Sequence, residues 1–167
     1  DAISAFTRVT ELRPDSAQAF QRLGTAYQSA GDRPKARFFF ERAIEIQPDP
    51  ASYSNLGTLH YMDGRFNDAA RAYQEAIRLR PNRALYRRNL GDTYLKLSRQ
   101  DLAKQEYGEA VRFQMDALAV NPNSPQLVAQ LAVYLAKTGQ PAEARRQIDR
   151  ARASAPTNAQ ILHYQAA

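Results

Sequence analysis

The sequence predicts an all-α fold of antiparallel helix pairs that stack into a solenoid of about ten helices. Three observations predict it: regularly spaced prolines, a small residue that recurs in each predicted first helix, and alanines paired with bulky residues in each second helix. The prolines are 34, 33, 41 and 34 residues apart, and a period of this length is typical of stacked helical repeats. They are Pro14, Pro48, Pro81, Pro122 and Pro156.

Composition and charge exclude several other classes of protein. The 167 residues are 44% hydrophobic and 24% charged, which favours one folded domain over a disordered segment. The absence of cysteine excludes disulfide, thiolate-zinc and iron–sulfur sites, and two histidines cannot form a three-histidine metal site. No apolar stretch approaches the ~20 residues of a membrane-spanning helix. We therefore expect a single domain over residues 1–167, with no cofactor and no direct membrane insertion.

The first helix of each predicted repeat has a Leu-Gly or Leu-Ala pair eight or nine residues after a proline. Three residues beyond the small residue is a larger one: Tyr27, His60, Tyr94 or Leu135. Spacings of three and four place these side chains on one helical face, so we expect the small residues to allow close helix packing. Because His60 occupies a position held elsewhere by tyrosine, we interpret it as a packing residue. The pairs are Leu23-Gly24, Leu56-Gly57, Leu90-Gly91 and Leu131-Ala132.

A break follows each predicted first helix. Gly31, Gly64 and Gly139 stand where a helix C-terminus favours a left-handed backbone conformation. Polar residues and prolines stand at the positions expected for N-caps and for the first helical turn. The predicted N-caps are Asp32, Asp49 and Ser124, and the predicted first-turn prolines are Pro50, Pro125 and Pro141.

In each second helix an alanine is followed by a bulky residue four positions later and by another alanine three positions after that, as in Ala36, Phe40 and Ala43. The third repeat is about seven residues longer than the others, and Ala110 and Ala117 could both fill its second alanine position. Seven residues keep the same helical face, so the sequence predicts one helix over 100–120 that extends about 10 Å beyond its neighbours. The extension is either an insertion without a role or a contact site for another domain.

These recurring residue positions resemble the tetratricopeptide repeat. Its pattern is a bulky residue, x2, Leu-Gly, x2, Tyr, then Ala-x3-Phe and Pro. The first complete copy is Phe20-x2-Leu23-Gly24-x2-Tyr27, Ala36-x3-Phe40, Pro48. The resemblance covers essentially the whole chain and implies a right-handed superhelix. It implies complete repeats over 17–49, 50–83, 84–124 and 125–158, preceded by a second helix over 1–16 and followed by part of a first helix over 159–167.

Because the repeat pattern begins and ends partway through a repeat, we expect the chain to be a piece of a longer repeat protein. The abundance of arginine and alanine favours a GC-rich genome and hence a bacterial source. We expect Ile3, Phe6, Ile161 and Leu162 to be partly uncovered on the terminal helices, which predicts end-to-end self-association.

No phosphate-binding glycine loop, HExxH motif or nucleophile elbow is present, so we expect no enzymatic activity. The resemblance instead implies that the first helices line a concave groove that binds peptides. Asn55 and Asn89 directly precede Leu-Gly pairs, and an asparagine amide can both donate to and accept from one peptide unit. They are similar to the asparagine ladder of superhelical repeat proteins, although a solvated helix face is the alternative. The predicted groove residues are Arg22, Thr25, Asn55, Thr58, Tyr61, Met62, Leu85, Arg88, Asn89, Asp92, Lys96, Gln130 and Lys137.

The residues on the predicted groove face do not match the clamp by which members of this family bind the acidic tail of heat-shock chaperones. Gln21 and Thr25 stand where that clamp has a lysine and an asparagine. Leu85 and Asn89 stand where it has a lysine and an arginine, and only Asn55 matches. We therefore do not predict that specificity.

The net charge of +6 is concentrated in a segment with no acidic residue between Glu75 and Asp92. Part of this charge is expected to pair within one helix, because Arg88, Asp92 and Lys96 are four residues apart. The rest favours an acidic peptide or an acidic neighbouring domain. We expect no nucleic-acid partner, because most tyrosines fall at packing positions. The segment contains Arg78, Arg80, Arg83, Arg87 and Arg88.

The sequence thus predicts a protein-interaction scaffold that holds a peptide or partner segment in its groove. Arg22, Arg88, Lys96 and Lys137 would add positive charge to that surface. The alternative is a regulatory or assembly segment of a larger multidomain signalling enzyme, in which the long helix packs against the catalytic domain.

Overall fold

The computed structural model describes residues 2–154, which form nine α-helices and no β-strand. The predicted all-α fold is therefore confirmed for this range, whereas the predicted helix over 159–167, with Ile161 and Leu162, lies outside the described residues. The helices are α1 (Ala2–Leu12), α2 (Ala17–Ser29), α3 (Arg33–Ile46), α4 (Pro50–Met62), α5 (Phe66–Leu79), α6 (Ala84–Lys96), α7 (Gln100–Val120), α8 (Pro125–Lys137) and α9 (Pro141–Ser154).

The chain divides into two compact units, Asp1–Pro81 and Asn82–Ala167, which we call unit 1 and unit 2. In unit 1, α2 packs against α3 and α4 against α5, while α1 packs against α2 and α3 against α4. In unit 2, α6 packs against α7 and α8 against α9, and α7 also packs against α8. Each unit thus consists of helix pairs joined by short turns. The single domain and the repeat boundaries stay predictions.

The small residue of each Leu-Gly pair lies against the bulky residue of the second helix, as its spacing predicts. A Cβ atom added to Gly24 would lie 2.8 Å from the Phe40 ring, and one added to Gly91 would lie 2.7 Å from the Tyr107 ring. Gly57 approaches Tyr73 equally closely, at 2.9 Å. Only glycine therefore allows these helix pairs to approach so closely without displacing the ring.

The predicted turn residues have the expected conformations. Gly31, Gly64 and Gly139 have φ values of 82°, 73° and 78°, and Ser98 takes the equivalent place in the third repeat with φ 58°. The side chains of Asp32, Asp49 and Ser124 accept hydrogen bonds from backbone N–H groups of the first turns of α3, α4 and α8. Ser16, which sequence reasoning missed, caps α2 in the same way.

The long helix predicted over 100–120 is confirmed, because α7 spans Gln100–Val120 with 21 residues. Of the two candidate alanines, Ala110 is fully buried in the core, whereas Ala117 is only half-buried. The added turns are covered on one side, since Leu118 joins the apolar core formed by α8 and α9. The opposite side is open to solvent, where Met115 and Val120 are 57% and 88% exposed.

Candidate functional site

Unit 1 contributes the predicted groove residues of α2 and α4. Asn55, on α4, is half-buried, and its amide has no hydrogen-bond partner among the described residues. Arg22, on α2, is exposed, and its guanidinium carbon lies 5.9 Å from the centre of the Phe6 ring. The Thr25 hydroxyl donates to the Gln21 carbonyl within the same helix at 3.0 Å. The Asn55 amide can therefore bind a ligand without first losing an internal bond.

The remaining predicted residues of unit 1 differ in their accessibility. The Thr58 hydroxyl donates to the Ser54 carbonyl and lies 3.0 Å from the Tyr73 hydroxyl, so it joins the packing of α4 onto α5. Tyr61 packs edge-to-face on Phe66, with ring centres 5.4 Å apart. Met62 is 52% exposed and presents apolar surface to solvent at the end of α4.

In unit 2, donors from three helices converge on the carboxylate of Asp92. The Tyr107 hydroxyl on α7 donates to Asp92 Oδ1 at 2.7 Å. Lys137 Nζ on α8 lies 2.8 Å from the same oxygen, and Arg88 Nε on α6 lies 3.9 Å from Oδ2. The expected Arg88–Asp92 pair is therefore present, but Lys137 rather than Lys96 supplies the second cation. Sequence spacing could not indicate this pair, because Asp92 and Lys137 belong to different repeats.

In unit 2, the side chains of Asn89 and Gln130 already accept hydrogen bonds from their neighbours. Arg88 Nη2 donates to Asn89 Oδ1 at 2.8 Å. Gln114 Nε2 donates to Gln130 Oε1 at 3.2 Å and to the Leu127 carbonyl at 2.8 Å. Gln114 is 4% exposed and lies in the added turns of α7, so it was not recognised as part of the site from the sequence.

The arginine-rich segment is less available than its sequence indicates. Arg87 pairs with Glu106 of α7 at 2.9 Å, and the two side chains are only 18% and 14% exposed. Arg78 pairs with Glu75 at 2.9 Å. The fold therefore pairs Arg87 with an acid from outside the sequence interval and Arg78 with the acid at its edge.

His60 is buried, with 8% of its surface exposed, at the packing position predicted for it. Arg65, the N-cap residue of α5, contacts its Nδ1 atom. Burial lowers the pKa of His60 below its usual value, and the nearby Arg65 and Arg37 lower it further, while Asp68 and Asp63 oppose them. These effects favour the neutral form of the ring. Among residues 2–154, no group of three or more acidic or histidine side chains is placed to hold a metal.

Each unit also has an open cavity. In unit 1, a cavity of about 700 Å³ lies between α1 and α2, and Ile3, Phe6 and Arg22 contribute to its lining. In unit 2, a cavity of about 340 Å³ is lined in part by Tyr107, Lys104 and Lys137. None of the helices described is long and apolar enough to cross a membrane.

Comparison with known families decides the identity of the fold. Models described as tetratricopeptide repeat match residues 1–58, 89–116 and 125–150, and a model described as TPR repeat matches 61–98. The chain belongs to the tetratricopeptide repeat (TPR) family. TPR folds generally serve as non-enzymatic scaffolds for protein–protein interactions. This is the level of function that family membership supports.

Individual relatives agree with this assignment. The chain is 27% identical over 117 residues to small glutamine-rich tetratricopeptide repeat-containing protein 2 of Mycosarcoma maydis, which covers 70% of this chain and 33% of that protein. It spans about a third of that curated relative and still less of others that it matches.

Two solved structures show the same fold. The thermophilic TPR protein TTC0263 of Thermus thermophilus has a TM-score of 0.72 at 20% identity, over 98% of this chain and 87% of that one. YrrB, described as a TPR protein with an unusual peptide-binding site, has a TM-score of 0.60 at 17% identity, over 99% of this chain and 100% of that one.

Proposed function

We propose that this chain binds an extended peptide segment of a protein partner through the first helices of its repeats, and that Asn55 binds the peptide main chain. The observation that carries the proposal is the Asn55 amide, which is half-buried on α4 and has no partner within the described part of the chain. An amide of this kind can donate to a main-chain carbonyl and accept from a main-chain N–H. Each such bond contributes on the order of 1 kcal/mol.

The surroundings of Asn55 provide the rest of the binding surface in unit 1. Met62 lies seven residues, or about two turns, further along the same face of α4 and offers exposed apolar surface. Arg22 on α2 adds a positive charge. Because the main chain is recognised by Asn55, the peptide sequence would be selected by these neighbours. The unusual peptide-binding site named for YrrB supports a binding function in a protein of this fold.

The test is a peptide-array screen followed by measurement of the dissociation constant of the best peptide by fluorescence anisotropy. Loss of two main-chain bonds in Asn55→Ala should weaken binding about tenfold or more, since ~1.4 kcal/mol corresponds to a factor of ten. Asn67→Ala is the matched control, because Asn67 is an exposed asparagine on α5. A screen without binders, or equal binding by the Asn55→Ala and Asn67→Ala variants, would refute the proposal.

A second candidate function is supported by the exposed apolar side chains of the α7 extension. Met115 and Val120 would contact another domain if the chain is a regulatory or assembly segment of a larger enzyme. Replacing both by serine should then abolish co-purification with that domain while leaving peptide binding at Asn55 unchanged. Retained co-purification would remove this candidate.

End-to-end self-association is also part of the proposal. Ile3 and Phe6 of α1 are half-buried and line the cavity between α1 and α2, which is open to solvent. A helix from a second copy that filled this cavity would cover both side chains. Sedimentation velocity should show association that increases with concentration and decreases in Phe6→Ser. A monomer at all concentrations would contradict it.

A further inference from the structure

The predicted groove residues of unit 2 present hydrogen-bond donors rather than a balanced set of donors and acceptors. The oxygens of Asn89 and Gln130 already accept bonds from Arg88 and Gln114, at 2.8 Å and 3.2 Å. Their NH2 groups have no partner within the described residues and can only donate. A ligand that binds these amides must therefore supply acceptor oxygens.

The charges on this surface favour the same kind of ligand. Arg88, Lys96 and Lys137 contribute three positive charges and Asp92 contributes one negative charge, which leaves a local charge of +2. Arg88 Nε is buried without a hydrogen-bond partner in the described part of the chain and faces the Asp92 carboxylate from 3.9 Å. Lys96 is exposed and forms no ion pair with any described residue. The surface therefore has more donors than its single carboxylate can satisfy.

Asp92 is the one acidic side chain among these donors. It accepts from Tyr107 at 2.7 Å and pairs with Lys137 at 2.8 Å. The pair remains accessible to water, because the Lys137 and Asp92 side chains are 35% and 24% exposed. A carboxylate from a partner can thus reach Lys137 without unfolding of α6 or α8.

We infer that Asp92 is an internal competitor: in the free protein it occupies the donors that bind a carboxylate of the partner in the complex. Unit 2 then selects an acidic peptide, and Asp92 sets how tightly that peptide is held. This inference rests on the proposed peptide-binding function and specifies the ligand class for unit 2. If Asp92 had only a structural role, its neutralisation would lower stability without any gain in affinity for acidic ligands.

The test compares Asp92→Asn with Asp116→Asn. Both variants lose one negative charge, but Asp116 lies on the exposed side of α7 and pairs with none of the groove cations. In Asp92→Asn the new amide would keep an oxygen to accept from Tyr107 while releasing Lys137 and Arg88. The probe is a fluorescein-labelled hexaglutamate peptide with blocked ends, and its control is hexaglutamine. Dissociation constants are measured by anisotropy at low and at physiological salt.

We expect Asp92→Asn to bind hexaglutamate about tenfold more tightly than Asp116→Asn does, with a smaller difference at higher salt, since exposed charges are screened. Adding Lys137→Gln to Asp92→Asn should remove most of the gain. Equal affinity of the two aspartate variants, or no binding of hexaglutamate by either, would overturn the inference. Should Asp92→Asn fail to fold by circular dichroism, Lys137→Gln alone must weaken hexaglutamate binding, and unchanged binding would overturn the inference as well.

These outcomes are separable from failure of the proposed function. The array-selected peptide and the Asn55→Ala variant test main-chain binding in unit 1, whereas hexaglutamate and Asp92→Asn test carboxylate binding in unit 2. If Asn55→Ala weakens the array peptide while the two aspartate variants bind hexaglutamate equally, only the inference about Asp92 fails.

Discussion

Asn55 in unit 1 and Asn89 in unit 2 occupy the same position of consecutive repeats, each directly before a Leu-Gly pair, yet their amides have different surroundings. The Asn55 amide has no partner among the described residues, whereas Asn89 accepts a hydrogen bond from Arg88 at 2.8 Å. The difference arises from the preceding residue, which is buried Ser54 in unit 1 and Arg88 in unit 2. A shared motif position therefore does not imply a shared binding role.

The two units also differ in the partners of a tyrosine hydroxyl on the second helix, Tyr73 in unit 1 and Tyr107 in unit 2. Tyr73 of unit 1 lies 3.0 Å from the Thr58 hydroxyl, a neutral partner. Tyr107 of unit 2 donates to the Asp92 carboxylate at 2.7 Å. Unit 1 places a neutral hydroxyl pair next to its available amide, whereas unit 2 has at this position a charged network whose members already pair with one another. Under the proposed function, peptide main chain and peptide charge would therefore be recognised in different units.

The largest loss of stability should come from substitutions in the packing that both units share. Gly57→Val and Gly91→Val would each place side-chain atoms into a tyrosine ring that a single Cβ already approaches to 2.9 Å and 2.7 Å. Overpacking of this kind costs about 3 kcal/mol. Chemical denaturation monitored by circular dichroism should show the loss of stability in both variants.

The control for these variants is Gly108→Val on α7, where an added Cβ would meet no atom within 4 Å. Its effect should stay within about 0.5 kcal/mol, as for most surface substitutions. If one of the two packing glycines tolerated valine like Gly108, the units would not share the packing on which their comparison depends.

The second prediction concerns the two tyrosine hydroxyls. Tyr107→Phe should destabilise the protein by about 2 kcal/mol, because it removes a hydrogen bond to a charged acceptor. Tyr73→Phe should cost about 1 kcal/mol, the value typical of a bond between neutral groups. Each ring stays in place, so packing against Gly91 or Gly57 is preserved. Equal losses for the two variants would show that Asp92 is no stronger an acceptor than Thr58.

Much of the packing could be predicted from the sequence because its partners are close in the chain. Gly24 and Phe40, like the turn glycine Gly31, follow from spacings within one repeat. The charged network could not be predicted in this way. Asp92 meets Lys137 from the following repeat, and Arg87 meets Glu106 from the next helix. The Asp92–Lys137 pair depends on how one repeat is rotated onto the next, which the spacing of apolar residues does not specify.

The α7 extension illustrates the same limit. Its length and start were predictable, since seven added residues return the helix to the same face. The role of Gln114 was not predictable, because a glutamine within an amphipathic helix is usually exposed to solvent. Here it is buried, and it donates to Gln130 and to the Leu127 carbonyl of α8. The repeat pattern contains no position for such a residue.

A third prediction tests the contrast between the two asparagines directly. Asn89→Ala should weaken binding of the array-selected peptide about threefold or less, against about tenfold or more for Asn55→Ala, because ~1.4 kcal/mol corresponds to a factor of ten and the Asn89 oxygen already has an internal partner. Fluorescence anisotropy with the same peptide provides the comparison. A larger loss for Asn89→Ala would reverse the assignment of main-chain binding to unit 1.

The smallest effect should be a dependence of the stability of unit 1 on pH, which comes from His60. The pKa of His60 is lowered by burial and by Arg65 and Arg37, so below pH 6.5 the unfolded chain takes up a proton that the folded chain does not. Stability is thus complete above pH 6.5 and should fall as the pH decreases from there towards the folded-state pKa. Asp68 and Asp63 reduce the shift without reversing it.

His60→Tyr isolates this contribution, because tyrosine stands at the equivalent position in unit 2 as Tyr94 and does not titrate between pH 5 and 7. The free energy of unfolding, measured by urea denaturation at intervals from pH 5 to 7.5, should decline more steeply below pH 6.5 in the wild type than in the variant. Parallel curves would mean that the folded chain accommodates a protonated His60 beside Arg65. In that case the position would differ from Tyr94 in shape alone.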